Sequence, residues 1–320
     1  MTSHSASLRL CAILLAASPA LGAEPLVWKW QEGDTARYLM TQTMRMSTDA
    51  GAAGETKGSM RQDTLMQWEV ESVEPGGEAK LTVQTERVVM RNEGAGGQSF
   101  TYDSDSDDPP MGMAALVAPV YEAVVEHPFH LTMQPSGELT EITLSDELKA
   151  AFDRLPGGAV SGDMAAQGVK HLVMKLSGEP LAVGDQWTNT VEFITPGMGP
   201  LKVLTTYTYD GPQQVENHTY EAFTPKRVQA PLDDQASFVD IETKESTGEV
   251  LFDREKGRVF RSHLLQKSEV RLKDDDQDAP NRIEQTIDLR ELGKDETPTL
   301  GAPAKEEAEA KPPEEPAVTE

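Results

Sequence analysis

Among the six histidines of the chain, only His127 and His130 stand close enough to suggest a shared metal ion. They sit at i and i+3 around Pro128, where a strand is expected to begin. A zinc site needs three or four convergent ligands, each oriented by further hydrogen bonds. No cysteine and no carboxylate at helical spacing completes the pair, so it reads as a turn with exposed imidazoles. Asp103-Ser104-Asp105-Ser106-Asp107-Asp108 places oxygens at alternate positions, as a hard cation prefers. Yet Asp108 stands where a twelve-residue calcium loop needs glycine, Ala114 stands where it needs glutamate, and Pro109-Pro110 breaks the helix that should follow. Asp103, Asp105 and Asp107 are a calcium candidate without the loop geometry, and a solvated acidic loop is the plainer reading. Asp274, Asp275, Asp276 and Asp278, ahead of Pro280, offer still less.

Nucleophilic chemistry finds no support. No serine lies in a Gly-x-Ser-x-Gly elbow, and Ser161 in Val160-Ser161-Gly162-Asp163 is better placed as a helix cap. Neither a phosphate loop nor a dinucleotide fingerprint occurs, and Gly94-Ala95-Gly96-Gly97 leads into no helix. Carboxylates are so abundant that some pair must fall near glycosidase separation by chance. A hydrolase with an unidentified carboxylate pair is therefore the third of three readings. No catalytic residue, cofactor or resident metal is assigned.

Methionine is the unusual residue. Met40, Met44, Met46, Met60, Met66 and Met90 cluster where strands would ordinarily carry Val and Ile. A thioether side chain adapts to irregular apolar partners, so Met40, Met44, Met60 and Met66 with Trp68 could line a face that wraps a lipid-like ligand. Capture of a soft metal by thioethers is a second possibility, and a core padded with flexible side chains is the simplest.

The elements that must position these residues are mostly strands, because period-2 alternation dominates. Val27 to Trp30 reads as a strand with both tryptophans on one face. Ala36 to Met46 places Tyr38, Met40, Gln42, Met44 and Met46 on one side. Ser59 to Glu74 and Ala79 to Met90 form a long hairpin through Pro75-Gly76-Gly77-Glu78, with a bulge near Glu86 where Arg87 falls out of phase. Further strands are expected over 187–194, 201–209, 218–223, 237–247, 249–253, 258–272 and 283–289. Leu201, Val203, Thr205, Tyr207 and Tyr209 make an inward row, and Lys256-Gly257 marks a tight reversal. Three helical stripes interrupt the strands: Met113 to Val124 with Pro119 inside it, Leu144 to Leu155 behind Ser145, and Ala165 to Leu176 behind Ser161. The last two, joined by Pro156-Gly157-Gly158, suggest a helical hairpin lying on the sheet.

Composition fits this picture. The 320 residues are 38% hydrophobic and 6% aromatic, and 54 acidic against 29 basic side chains leave a formal charge of −25. That balance argues against nucleic acid, or an anionic bilayer surface, as the main partner. Met1 to Ala23 reads as a secretory signal peptide, with Arg9 ahead of the apolar run Leu10–Ala17 and a small-residue exit ending at Ala23. That run falls well short of the ~20 residues needed to span a bilayer. Cleavage would remove Cys11, the single cysteine. Residues 294–320, rich in Pro, Ala and Glu, cannot bury enough surface to order and read as a disordered acidic tail.

Several short motifs recur in a familiar order. They are Glu32-Gly33-Asp34 with Tyr38, Phe129 to Met133 with Pro135-Ser136-Gly137-Glu138-Leu139, Val183-Gly184-Asp185-Gln186-Trp187, and Gly248-Glu249 with Phe252 to Val259. In these the chain resembles an uncharacterised family of exported β-rich bacterial proteins, a domain of unknown function (DUF6263-like), over most of Leu26 to Leu292. The resemblance implies an antiparallel β-rich fold and an envelope location, and it supplies no catalytic residues.

The expectation is thus an α+β, mostly β chain: a curved antiparallel sheet or open barrel covered by about three helices, with a disordered acidic C-terminal tail. Residues 1–23 form the leader and 24–293 the β-rich domain, in one piece or as lobes 24–178 and 179–293. The leading functional reading is an exported, periplasmic or extracellular, non-enzymatic binding or structural module. The second is an open-barrel carrier of an apolar ligand. The expected partner is an apolar small molecule or an envelope protein, with no membrane span.

Overall fold

The computed structural model describes residues 24–49, 54–94, 98–154, 161–170, 173–195, 199–232, 239–273 and 280–301. The expected leader and residues 302–320 of the expected tail lie outside them, as do Asp274, Asp275, Asp276 and Asp278. Twelve strands form one antiparallel sheet. In chain order they are β1 (Thr35–Asp49), β2 (Glu55–Val73), β3 (Ala79–Glu93), β4 (Ser99–Asp103), β5 (Phe129–Met133), β6 (Leu139–Thr143), β7 (Gln186–Thr195), β8 (Gly199–Val215), β9 (His218–Pro231), β10 (Val239–Asp253), β11 (Arg258–Leu272) and β12 (Asn281–Glu291). Across the sheet they lie β6-β5-β3-β2-β1-β12-β11-β10-β9-β8-β7, with β4 hydrogen-bonded to β3 off this path. The strands of both expected lobes belong to this one sheet, which does not close into a barrel.

The alternation seen in the sequence becomes the two faces of the sheet. Tyr38 and Met40 of β1, Met66, Trp68 and Val70 of β2, Leu81 and Val83 of β3, Phe223 of β9 and Phe252 of β10 meet in one buried cluster. These residues come from strands far apart in the sheet, so the sheet is curled and this is its inner face. The bulge falls where the phase slip placed it: Leu65 opposes Arg87 and Met66 opposes Thr85, leaving Glu86 as the extra residue. Its carboxylate then receives a forked pair of bonds from Arg37, Nε to Oε1 at 3.1 Å and a terminal nitrogen to Oε2 at 2.7 Å.

Trp28 and Trp30 are both buried, with Val27 and Lys29 turned the other way. The expected strand there joins no ladder. It lies extended across the aromatic end of the sheet, where the Trp28 amide donates to Pro135 O (2.8 Å) and the Lys29 amide to Gly257 O (2.9 Å). Trp28 stacks on Trp30, Trp30 on Trp68, and Phe252 meets Trp28 edge-on.

Three helices cover the gap between β6 and β7. They are α1 (Ala114–Glu126), α2 (Asp146–Asp153) and α3 (Gly162–Val169), and their contacts run from β3 and β4 through α1, α2 and α3 to β6 and β7. Ser145 and Ser161 cap α2 and α3 as expected, accepting from the amides of Leu148 (3.1 Å) and Met164 (3.2 Å). Pro119 lies within α1 without dividing it. The buried side of α1 is the small one, Ala114, Ala118, Val120 and Ala123, whereas Met113 and Leu116 of the expected stripe are about half exposed. Close approach to β3 and β4 favours alanine over bulk. Nor does α3 reach Leu176: Val173, Met174 and Leu176 are buried but extended, drawn out of helix by the core they fill.

Other boundaries also shift. β10 runs unbroken through Gly248, where a Cβ would lie 2.4 Å from His263 O, so close strand packing rather than a turn explains that glycine. Strands β4 and β6, too short to show alternation, escaped the sequence reading. Residues 294–301, expected in the tail, follow the outer face: the Gly301 amide donates to buried Asp63 at 2.6 Å and Arg37 donates to Glu296 O at 3.1 Å.

Gly137 offers a sharp test of the closed end. Its φ is +83°, and an added Cβ would sit 2.4 Å from Met174 O and 2.5 Å from Trp28 Nε1. Gly137→Ala should cost about 2–4 kcal/mol in chemical denaturation. Gly76→Ala, in a turn where a Cβ meets nothing within 4 Å, should change stability by about 0.5 kcal/mol or less.

Candidate functional site

The two ends of the inner face differ in kind. One end is packed solid by the aromatic cluster. Toward the other, the tyrosine-and-methionine row of β1 continues past Met40 to Met44 and Met46, and the residues opposite become smaller or more polar. Met44 faces Met60 across the β1–β2 pair, and Met46 faces Gly58. On the other side of β1, Met44 opposes Gln285 and Met46 opposes Ile283 of β12. A cavity of about 440 Å³ opens here, lined by Met44, Met46 and Met60 together with Val239, Val270, Leu272 and Ile283. Met46 and Leu272 at its mouth are 45% and 50% exposed. Its volume lies in the range of small-molecule sites, ~300–1,000 Å³, and its wall is mostly apolar surface with polar groups such as Thr48, Asn92 and Asn281 beside it, as such sites require.

The structure thus divides the residues named from sequence. Met44 and Met60 come together at the cavity. Met40, Met66 and Trp68 lie in the closed core, where Trp68 stacks on Trp30 and meets Tyr38 edge-on. Met90 packs under α1 with Tyr102, Ala114 and Ala118. Val239, Val270, Leu272 and Ile283 could not be paired with the methionines from sequence, because only the strand order brings β10, β11 and β12 beside β1.

A larger trough, about 1040 Å³, lies nearby and is lined mainly by charged side chains. Its charges answer one another: Arg45 with Glu284 at 2.7 Å, Lys57 with Glu55 at 3.0 Å, Lys244 with Glu242 at 2.6 Å and Glu269 at 3.4 Å. These half-exposed pairs contribute little stability each. Their effect is to compensate most of the charge that a ligand would meet there.

Among the described residues, one buried charged residue on the inner face has no such partner. Arg227 of β9 follows Phe223 and Pro225 on the buried side of its strand and is 9% exposed. Its Nε is buried without a hydrogen-bond acceptor. Burial pushes the guanidinium below its ordinary value, while the Tyr207 phenol acts in the other direction. Tyr207, stacked on Trp187 at 5.4 Å, is itself pushed up to about 12 by burial.

The acidic loop serves structure. Asp103 receives Arg87 through both oxygens, at 2.9 and 2.6 Å, and accepts the Asp105 amide at 3.1 Å. A calcium ion would have to displace that guanidinium. Asp107 is exposed, and among the described residues no group of three or more His, Cys, Asp or Glu side chains is arranged to hold a metal. His130 makes contacts through Nδ1 to Glu71 (3.0 Å) and the Thr82 hydroxyl (2.9 Å), and His127 caps the end of α1.

Residues 76–222, a little under half of the chain, match the model of a family described as a family of unknown function, DUF6263. The resemblance seen in the sequence is thereby supported, though the motifs before Gly76 and after Ala222 fall outside the match. No curated protein matches the chain. Among solved structures, it is similar to one described by lipid–protein interactions in lipovitellin, at 12% identity over 83% of this chain and a TM-score of 0.46. It spans about a quarter of that chain (26%). DynF of the dynemicin biosynthesis pathway of Micromonospora chersina aligns at 7% identity over 85% of this chain and 86% of its own, TM-score 0.21. A protein with a YmcC-like fold from Bacteroides fragilis aligns at 9% identity over 84% and 100%, TM-score 0.28.

The loop pair yields a pH prediction. Hydrogen bonds from Arg87 hold the Asp103 carboxyl below the usual carboxylate range; partial burial opposes this, and the Asp105 amide adds to it. Folding lowers this pKa, so the stabilisation is present above the unfolded value of ~4 and is lost as pH falls through the folded value. Asp103→Asn should cost about 0.5–1 kcal/mol at pH 7, with the gap to wild type closing below pH ~4 in urea titrations.

Proposed function

We propose that this protein is an exported, non-enzymatic binding module that holds an apolar small molecule in the open end of its curled sheet. The observation that carries this reading is the cavity of about 440 Å³ at the end of the methionine row. Filling it would move the exposed parts of Met46 and Leu272 out of water, which favours binding by roughly 25 cal/mol per Å² of apolar surface covered. Thioether side chains at Met44, Met46 and Met60 can repack around differently shaped apolar bodies. Of the face named from sequence, Met44 and Met60 would touch the ligand, while Met40, Met66 and Trp68 would hold the floor beneath it. The leader-like segment Met1 to Ala23 supports delivery to the periplasm or the exterior. Among the described residues no helix is long and apolar enough to cross a membrane.

An envelope protein is the second candidate partner. Met111, Met113 and Leu116, at and before the start of α1, are 80%, 51% and 50% exposed, and an exposed apolar stretch of this kind favours a protein contact.

Nile red, a neutral apolar dye, tests the first reading. Saturable one-to-one binding with a fluorescence rise is expected. The double substitution Met46→Glu and Leu272→Glu should weaken it about tenfold or more, because each charge would lie against the bound apolar body. Both sites are half exposed, so the fold should lose about 1 kcal/mol or less. Absence of dye binding, or binding indifferent to the double substitution, would overturn the assignment.

A further inference from the structure

Arg227 is costly to the fold as it stands. A guanidinium stays protonated at physiological pH, and a buried charge destabilises unless it is paired and hydrogen-bonded. Shortage of carboxylates is not the cause, with 54 acidic side chains in the chain. Arg254 and Arg258 take Glu221 at 2.5 Å and Glu291 at 2.6 Å. Among the described residues, Arg227 takes none, and its one electrostatic neighbour is the Tyr207 phenol.

Its place on the sheet relates it to the cavity. Met60 opposes Met44 and Met44 opposes Gln285. Gln285 opposes Gln266, and Gln266 opposes Ser246. The Ser246 hydroxyl then accepts the Arg227 amide at 2.8 Å. One transverse row of the inner face therefore begins at the thioethers of the cavity and ends at the unpaired guanidinium. Four strand spacings of ~4.8 Å put about 19 Å of sheet between Met44 and Arg227, and the curl shortens the direct path. Gln266, midway, is 3% exposed and its Oε1 also lacks a partner.

We propose that the ligand is an anionic amphiphile, its carboxylate or phosphate oxygens on Arg227 and its apolar body along the row toward Met44 and Met60. The proposal rests on the apolar-binding reading above and adds the head group. A bound oxyanion would supply the two-pronged partner that guanidinium geometry favours, and it would do so in a water-poor site where the interaction is strong. The unpaired charge is then a stability cost accepted for recognition.

Displacement of Nile red by palmitate, 1-hexadecanol and inorganic phosphate separates the possibilities on the full chain. Palmitate should displace the dye from wild type at least tenfold better than 1-hexadecanol, which has the same number of carbons and no charge. Arg227→Gln should abolish that preference by weakening palmitate about 30-fold or more while leaving 1-hexadecanol unchanged. Arg227→Lys should keep part of it. Arg227→Met should abolish it too, with a ligand-free Tm equal to or above wild type, because the unpaired charge is gone. Equal displacement of the dye by palmitate and the alcohol from wild type, or a preference that survives in Arg227→Gln and Arg227→Met, overturns the head-group assignment and leaves the apolar site standing. Phosphate acting as well as palmitate overturns the amphiphile in favour of a free anion. Failure of the dye and both long-chain probes to bind overturns the apolar reading as well.

Discussion

Three backbone carbonyls fasten the curled sheet. Strands β6 and β7 are its edges, and no ladder joins them. The extended stretch Val173 to Leu176 crosses between them instead. The Leu176 amide donates to Ser136 O at 2.7 Å, in the turn that joins β5 to β6. The carbonyl of Lys175 accepts from Trp187 Nε1 and Asn189 Nδ2 of β7, both at 2.8 Å. The carbonyl of Met174 accepts from Trp28 Nε1 at 3.0 Å. A sheet with two free edges would otherwise flatten or pair with a second copy. Held at this point, it stays curved around the aromatic cluster, and the helices complete the cover.

That fastening acts at one end alone, which is why the molecule has a closed end and an open one. The aromatic rings are large and rigid, and they fill the curl where the N-terminal segment lies across it. Farther along the strands the same inner face must be covered by single side chains from diverging walls. Methionine suits that region because its long unbranched side chain bends to irregular space. The cavity beside Met44 and Met60 follows from curvature fixed at one end and side chains too slender to fill the other.

The outer and inner faces also treat charge in opposite ways. Outside, carboxylates outnumber cations, yet the buried ones are satisfied: Asp63 accepts from Thr41 (2.7 Å), from Gly301 (2.6 Å) and from Arg61. Glu86, displaced by the bulge, holds Arg37, which in turn holds Glu296 O and so the segment that crosses the outer face. Inside, among the described residues, Arg227 stands without an acid. Trp30 Nε1, Trp68 Nε1 and Gln266 Oε1 on that face also lack hydrogen-bond partners, but of these groups only Arg227 carries a charge.

Sequence alone carried the periodic and the local. Long strands with one wet face declare themselves by alternation, so β1, β3, β7, β11 and β12 were legible almost to their ends, whereas β8 and β9 run on well past the expected 209 and 223. The bulge at Glu86 showed as a slip of phase, and the Ser145 and Ser161 caps as hydroxyls placed ahead of apolar stripes. Short elements such as β4 and β6 hold too few residues to show a period. The extended course of Val173 to Leu176, spaced as a helix in the chain, was set by distant partners in the core. The methionines stood out by type, but which of them meet a cavity and which support the core depends on where the curl closes. Arg227 gave no signal, since an arginine in a polar strand resembles any other. Its burial, and the absence of an acid beside it, arise from β8, β9, β10 and β11 being folded side by side, a non-local pairing that no window along the chain contains.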